Sequence, residues 1–288
     1  MESLADTLAA TLRRGECIGL DAEFTGANEM LELAVADLSL EVIFESLFRP
    51  ARSQRWSRVP HGITPAMVKG CPRFAWRVPR VQRIIDRCRY LVGFALENDV
   101  AHLRAEGVAR LETKRTLDLR DWFWLVYGRH HGLDYREGVN LALICDILGV
   151  SDDDSRAHRA GYDTQCTLRC FRELLERFLS RQEQCPDTFD GAVALFDREF
   201  DSAMAAYRRE AAAGFVSLVV TEEGRHVIKA NKLRPEASDS LIECVAVADR
   251  HAAMETLART LTGRTRSNRI VLDGFTPQVL AAVRALGS

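Results

Sequence analysis

The stretch Cys17 to Phe24, CIGLDAEF, sets two carboxylates into an otherwise apolar segment. With Met30 to Leu40 (MLELAVADLSL) and Glu41 to Phe48 (EVIFESLF) it reads as three strands joined by short connections. Connections that short suit an antiparallel start to a sheet. Downstream the pattern changes. After a loop punctuated by Pro and Gly, VPHGITPAMVKGCPRF, a helical period from about Pro79 to Arg89 runs into the apolar strand Tyr90 to Ala95. Glu97 to Glu106 then reads as a helix and Arg115 to Leu119 as a short extended piece, while Trp122 to Val126, Leu141 to Leu148 and Tyr162 to Leu179 read as helices. Three antiparallel strands followed by helix and strand in alternation predict an α/β fold, a mixed sheet flanked by helices.

On the N-terminal side, MESLADTLAATLRR carries acids and spaces Leu4, Leu8 and Leu12 as one helix face, unlike the basic start and apolar run of a signal peptide. No stretch approaches eighteen apolar residues, so a cytoplasmic protein without membrane contact is expected. On the C-terminal side, the polar stretch Ser180 to Gly191, with Pro186, marks a boundary between domains at 1–183 and 190–288. The second unit reads as a helix from Ala192 to Ala213, a hairpin from Phe215 to Lys232, a strand from Ile242 to Ala248, a helix through Leu261, a strand from Arg269 to Phe275 and a last helix. This small α+β accessory domain offers no motif of its own. Extension of a nucleic-acid groove, self-association, or docking of a polymerase or other protein partner are the roles open to it.

The 288 residues are 47% hydrophobic and 28% charged, enough for a sizeable core and incompatible with disorder as the main state. Thirty-nine basic against forty-one acidic residues give a net charge of -2, which excludes coating of nucleic acid by charge alone but leaves room for a local basic face. Arg80, Arg83 and Arg87 share one face of a helix with Arg73 and Arg77 upstream, and Arg264, Arg266 and Arg269 form a second basic loop. For both, a solvated face outweighs a phosphate track by roughly three to one. The acidic run Asp152 to Asp154, and His130 with His131, read as water-facing loops. Eight cysteines show neither a C-x-x-C pair nor zinc spacing, so buried thiols in a reducing compartment are expected and structural zinc is not.

Asp21 and Glu23 stand two apart on a strand, and the strand period puts both carboxylates on one face, able to share a cation. About six acid-x-acid pairs arise by chance at this composition, so the pair alone is equally a solvated strand edge. Its apolar neighbours Ile18, Leu20 and Phe24 favour an interior strand, where two carboxylates repel unless offset. Asp99 follows the apolar run YLVGFA at a strand-to-helix junction, where an acid also suits the helix dipole. Asp163 extends the apolar stripe of Thr167, Cys170, Phe171 and Leu174, so it needs a partner, and a metal ion is an economical one. His158 stands five residues before it.

Taken in this order, Asp21 and Glu23, then Asp99, then His158 with Asp163 resemble the DEDDh exonuclease superfamily. DAEFTG is similar to its first motif, HGIT from His61 to Thr64 to its 3′-nucleotide loop, LVGFALENDVAHL to its second motif and HRAGYDTQCT to its third. The likeness runs from about residue 14 to 180 and is nearest to the proofreading subunits of bacterial replicases and RNase T-like exonucleases. Phe94 and Ala95 stand where the family usually has His-Asn, and Phe24 where many members have Thr. Neither departure removes a ligand. Asp118 occupies a position the family often fills with Asp without using it as a ligand.

The resemblance implies a ribonuclease H-like five-stranded mixed sheet and a metal-dependent 3′-to-5′ exonuclease releasing nucleoside 5′-monophosphates from single-stranded or frayed DNA or RNA. Asp21, Glu23, Asp99 and Asp163 would hold two Mg²⁺ or Mn²⁺ ions, which suit hard carboxylate oxygens and can serve both oxygens of a phosphodiester displacement. His158 would be the general base. Phe24, Thr25, Gly26, His61 and Ile63 would bind substrate. The alternative is a nucleic-acid-binding or polymerase-docking protein that keeps the scaffold and cleaves too slowly to matter.

Overall fold

In the computed structural model, the described residues are 3–57, 61–131, 133, 135, 139–150, 158–212, 215–220, 226–231, 245–247 and 269–271. The chain divides into two compact units, 1–197 and 198–288. The first holds the helices α1 (Leu4–Ala9), α2 (Pro65–Val68), α3 (Val78–Arg87), α4 (Glu97–Ala105), α5 (Leu119–Val126), α6 (Leu141–Leu148) and α7 (Ala160–Leu179). Its strands are β1 (Cys17–Phe24), β2 (Met30–Asp37), β3 (Val42–Leu47), β4 (Tyr90–Gly93) and β5 (Arg115–Asp118). The division falls within α8 (Phe189–Ala212).

The five strands form one mixed sheet in the order β3-β2-β1-β4-β5. The antiparallel start read from the sequence is present in the β1–β2 and β2–β3 pairs, while β1–β4 and β4–β5 are parallel. This is the expected ribonuclease H-like architecture. Alternation along β1 sorts its residues between two layers. Ile18 and Leu20 are fully buried in a cluster with Val81 and Ile85 of α3 and Leu103 of α4, with Ala22 and Phe24 at its margin. Gly19 lies on the other face, against Leu168 of α7. A Cβ at Gly19 would come within 2.6 to 2.9 Å of the Leu168 side chain, so the close seat of α7 depends on that glycine. The β2 residues paired with Gly19 and Asp21 are Ala36 and Ala34, equally small and both buried.

Several ends differ from the sequence reading. The strand expected to reach Ala95 stops at Gly93, because Ala95 takes a left-handed turn at φ 57. α5 starts at Leu119 because the Asp118 side chain caps it, accepting a bond from the Arg120 N–H. α8 begins at Phe189 rather than Ala192. His131 lies in a short turn and stacks on Tyr127 with ring centroids 4.0 Å apart.

The second unit contains a four-stranded sheet, β8-β7-β6-β9, from β6 (Phe215–Val220), β7 (His226–Asn231), β8 (Val245–Val247) and β9 (Arg269–Val271). The hairpin expected from the sequence is the antiparallel β6–β7 pair, and β9 runs parallel to β6. The two helices expected after Ala248, the basic residues Arg264 and Arg266, and the acidic run Asp152 to Asp154 lie outside the described residues. Among the described residues no helix is long and apolar enough to cross a membrane.

Candidate nuclease active site

The face of β1 that carries Gly19 also carries Asp21 and Glu23, toward the α7 side of the sheet. Asp99 is buried in the first turn of α4, just beyond the end of β4, the strand parallel to β1. Asp163 stands in the first turn of α7. One ligand atom from each of Glu23, His158 and Asp163 lies within 4.8 Å of the others. Asp21 adjoins this group, with Asp99 as the strongest of its carboxylate neighbours, followed by Asp163 and Glu23. Acids distant in sequence are thus drawn to one end of three parallel or adjacent elements.

Their electrostatics reflect the crowding. Burial first, then the charges of Asp99, Asp163, Glu23 and Glu32, hold Asp21 well above the usual carboxylate range. Burial, then Asp163, Glu32 and Asp99, push Glu23 up to about 8, with Arg159 acting against them. Asp99 is pushed up to about 8 by burial and then by Asp118 and Glu97. Asp163 rises to about 6 through burial, which His158 partly offsets. Four mutually repelling, desolvated carboxylates are a poor arrangement without a counter-charge and a good one with a hard divalent cation. The donor set therefore fits a divalent metal, with Glu23, Asp163 and His158 already gathered.

Glu32, which the sequence reading did not single out, and Asp118, marked there only as a position that is not a ligand, both shape this site. Glu32, on β2 directly opposite Glu23, has a side chain only 1% exposed. It accepts bonds from Arg159 Nε at 3.1 Å and Nη2 at 2.7 Å, and from the Ala160 backbone N–H at 3.1 Å. These bonds tie the start of α7 to the sheet. The available signal was a charge inside the apolar run of β2, all eight residues of which are buried. Asp118, buried at the end of β5, accepts bonds from the Leu96 N–H at 3.1 Å and from Arg120 Nε and Nη2 at 3.1 and 2.8 Å. It fixes the turn from which Asp99 projects.

His158 is exposed, has a left-handed backbone at φ 62, and donates its backbone N–H to the Asp163 carboxylate at 3.1 Å. Phe24 packs on His102 with ring centroids 4.2 Å apart, beyond the carboxylates on the same strand. The buried Thr25 hydroxyl accepts from the Ala27 and Glu29 N–H groups, and the adjacent Gly26 is exposed. The buried His61 accepts the Ile63 N–H at Nδ1, and its pKa is lowered by burial. Ile63 does not reach the surface, since it is fully buried with Leu31 and Val68. Phe94, at the first departure from the family pattern, lies under the Arg120 guanidinium, 5.6 Å from carbon to ring centre.

The family model described as Exonuclease (RNase_T) matches residues 16–171, which contain every residue of this site. No curated protein matches the chain. Among solved structures, the zinc-bound E. coli ExoI–ssDNA complex is similar at 15% identity and TM-score 0.45, covering 94% of this chain and 68% of its own. A 3′-exonuclease described in 3′-end specific recognition of a histone mRNA stem-loop gives 14% identity and TM-score 0.40 over 57% of this chain and 81% of its own. The Neurospora crassa Pan2 catalytic unit gives 12% identity and TM-score 0.44 over 67% and 29%. With the family model spanning more than half of its length, the chain belongs to the exonuclease family of the DEDD superfamily, nucleases that act on nucleic acid.

Proposed function

We propose that the protein is a metal-dependent 3′-to-5′ exonuclease that removes nucleoside 5′-monophosphates from the 3′ end of single-stranded or frayed DNA or RNA. The observation that carries this reading is the gathering of Glu23, His158 and Asp163 within 4.8 Å beside Asp21 and Asp99. Asp21, Glu23, Asp99 and Asp163 would hold two divalent cations, Mg²⁺ or Mn²⁺. Bound there, they would supply neutralising charge for the phosphodiester and lower the pKa of water, easing its deprotonation to the attacking hydroxide.

The protein's own groups do the rest. His158, exposed at the rim of the carboxylates, takes the proton of the attacking water on an imidazole nitrogen. The bond from its backbone N–H to Asp163 and the adjacent Arg159–Glu32 pair hold that imidazole beside the carboxylates. Phe24 on its His102 support and the exposed Gly26 form a platform for the terminal nucleotide, with Thr25 shaping the turn between them. His61 lines the approach, and Ile63 backs it from the core.

The test uses purified full-length protein with Mg²⁺ or Mn²⁺ on 5′-labelled single-stranded DNA and RNA in parallel, with EDTA and Asp21→Asn as controls. A ladder that shortens from the 3′ end, absent in both controls, is the expected result and selects the preferred nucleic acid. Binding without a ladder on either strand would replace this reading with a docking protein on a nuclease scaffold.

A further inference from the structure

On the α3 side of the sheet, the face opposite the one that carries the carboxylates, the first unit has a basic surface with an aromatic at its head. Trp76 is 68% exposed, far more than any other large hydrophobic among the described residues. It sits on a short 3₁₀ turn, Phe74–Trp76, whose Phe74 is buried edge-on against Phe48 at 5.1 Å, so the exposed ring stands on a fixed pedestal. Arg73 and Arg77 flank it, and Arg80, Arg83 and Arg87 follow along α3 at a spacing that keeps the last three on one face. Residues 73–87 hold five arginines and one acid, Asp86, in a chain whose net charge is -2.

Arg80, Arg83 and Arg87 line a cleft of about 680 Å³ with Arg14 and the start of β3. The one acid in its lining, Glu41, is already paired with Arg14. Asp86 faces Gln82 and Arg110 instead. Among the described residues none of the five arginines from 73 to 87 has an acidic partner, and the Arg80 guanidinium lies over the Phe44 ring at 5.3 Å. The strand register puts this cleft at the Ile18–Asp37 end of the sheet, five residues or roughly 17 Å along β1 from the Glu23–Glu32 pair. The cleft is thus apart from the carboxylates, while Trp76 stands nearer their end, on Phe74 against Phe48, the residue after Leu47, whose strand partner is Glu32.

We propose that Trp76 and the arginine cleft form a second nucleic-acid-binding surface that holds the backbone of a single strand, with one base stacked on Trp76. Guanidinium forks without an acidic partner suit successive phosphates, and an exposed indole between two arginines suits a base without regard to sequence. An acidic protein would find the same charge but no use for a rigid stacking ring. The proposal rests on the nuclease reading for its ligand class, and its test does not need turnover.

The measurement is fluorescence anisotropy of labelled dT20 and dT4 with the full-length protein in EDTA, from 50 to 300 mM salt. Arg80→Ala/Arg83→Ala/Arg87→Ala is expected to weaken dT20 binding at least tenfold and to reduce its log–log salt slope by about 2, since each single-strand phosphate contact contributes about 0.7. Trp76→Ala should weaken it about five- to tenfold with little change in slope, and Trp76→Phe should restore most of the loss. Binding of dT4 should change far less in each. Circular dichroism and thermal melting show whether each variant is folded. A folded triple variant with wild-type affinity and slope for dT20 overturns the proposal, as it would if the surface served an acidic protein. A 3′ ladder in Mg²⁺ alongside that result leaves the exonuclease reading standing. Conversely, dT20 binding that depends on the cleft, without any ladder, upholds the second surface and removes the exonuclease reading.

Discussion

Glu32 and Arg159 form a two-bond ion pair across the gap between β2 and α7, with the carboxylate buried and the guanidinium 41% exposed. Glu32 also stands directly across from Glu23. A fifth carboxylate so close to the cluster would worsen the repulsion if Arg159 did not engage it, and by engaging it Arg159 fixes its neighbour His158. Arg159 is therefore a positioning residue. Arg159→Ala is expected to lower kcat by roughly 10- to 100-fold with KM nearly unchanged, the loss typical of groups that orient ligands. Arg159→Lys should recover little, because an ammonium cannot make both bonds. A variant whose KM rises while kcat is kept would mean that Arg159 contacts substrate instead.

The raised carboxylates give the metal-free protein a distinctive response to pH. With Glu23 and Asp99 at about 8 and Asp163 at about 6, these three carboxylates bind more protons in the folded chain than in the unfolded chain between about pH 4 and 8. Their contribution to stability in EDTA falls as pH rises through that window, because the native state must give up protons it holds more tightly. Divalent cation bound at these carboxylates is expected to reverse the trend. At a hundred times its Kd it should add about 2.7 kcal/mol, which for a unit of this size is about 5 to 10 °C in Tm. Thermal melts at pH 5 and pH 8, with EDTA and with Mn²⁺, should show the metal-induced rise concentrated at pH 8. Equal rises at both values would show that the cation does not bind at these carboxylates.

His158 and Asp21 should fail in different ways. His158 is exposed, so His158→Ala is expected to lower kcat by roughly 10²- to 10⁴-fold while Tm in the absence of metal stays within a degree or two. Asp21→Ala removes one of the mutually repelling carboxylates. It should abolish turnover and, in EDTA, leave stability unchanged or raised. Single-turnover assays paired with melts separate the two, and wild-type turnover in either variant would remove that residue from the mechanism.

Much of this arrangement was legible in the chain itself, for identifiable reasons. The period of β1 announced that Asp21 and Glu23 share a face, and an apolar strand ending just before Asp99 announced where α4 begins. Glu32 stayed hidden because one acid in an apolar strand does not reveal its partner, which lies 127 residues away in Arg159. The early stop of β4 was hidden as well. An alanine gives no hint of a left-handed turn, and Ala95 adopts one where Asn, the residue usual in the family, would do so at less cost. Nor does any local pattern say that Ile63 points into the core beside Leu31, since an isoleucine between Gly62 and Thr64 in a loop reads the same whichever way it faces.

Gly19 offers a test of how tightly the site depends on the layer beneath it. A methyl group at this position would meet the Leu168 side chain at 2.6 to 2.9 Å in a fully buried layer, where α7 rests on Gly19, Ala34 and Ala36. Gly19→Ala is expected to cost about 1 to 3 kcal/mol through overpacking. Leu168→Ala alone should cost about 2 to 5 kcal/mol through the cavity it leaves. If the clash is the cause, the double variant must be less destabilised than the sum, because the added methyl occupies part of the vacated space. Urea unfolding of the four proteins measures this coupling directly. The same displacement moves Asp163, five residues before Leu168 on α7, relative to Asp21, two residues beyond Gly19 on β1. Gly19→Ala should therefore lose more activity than its fraction unfolded explains, and the double variant should regain part of it.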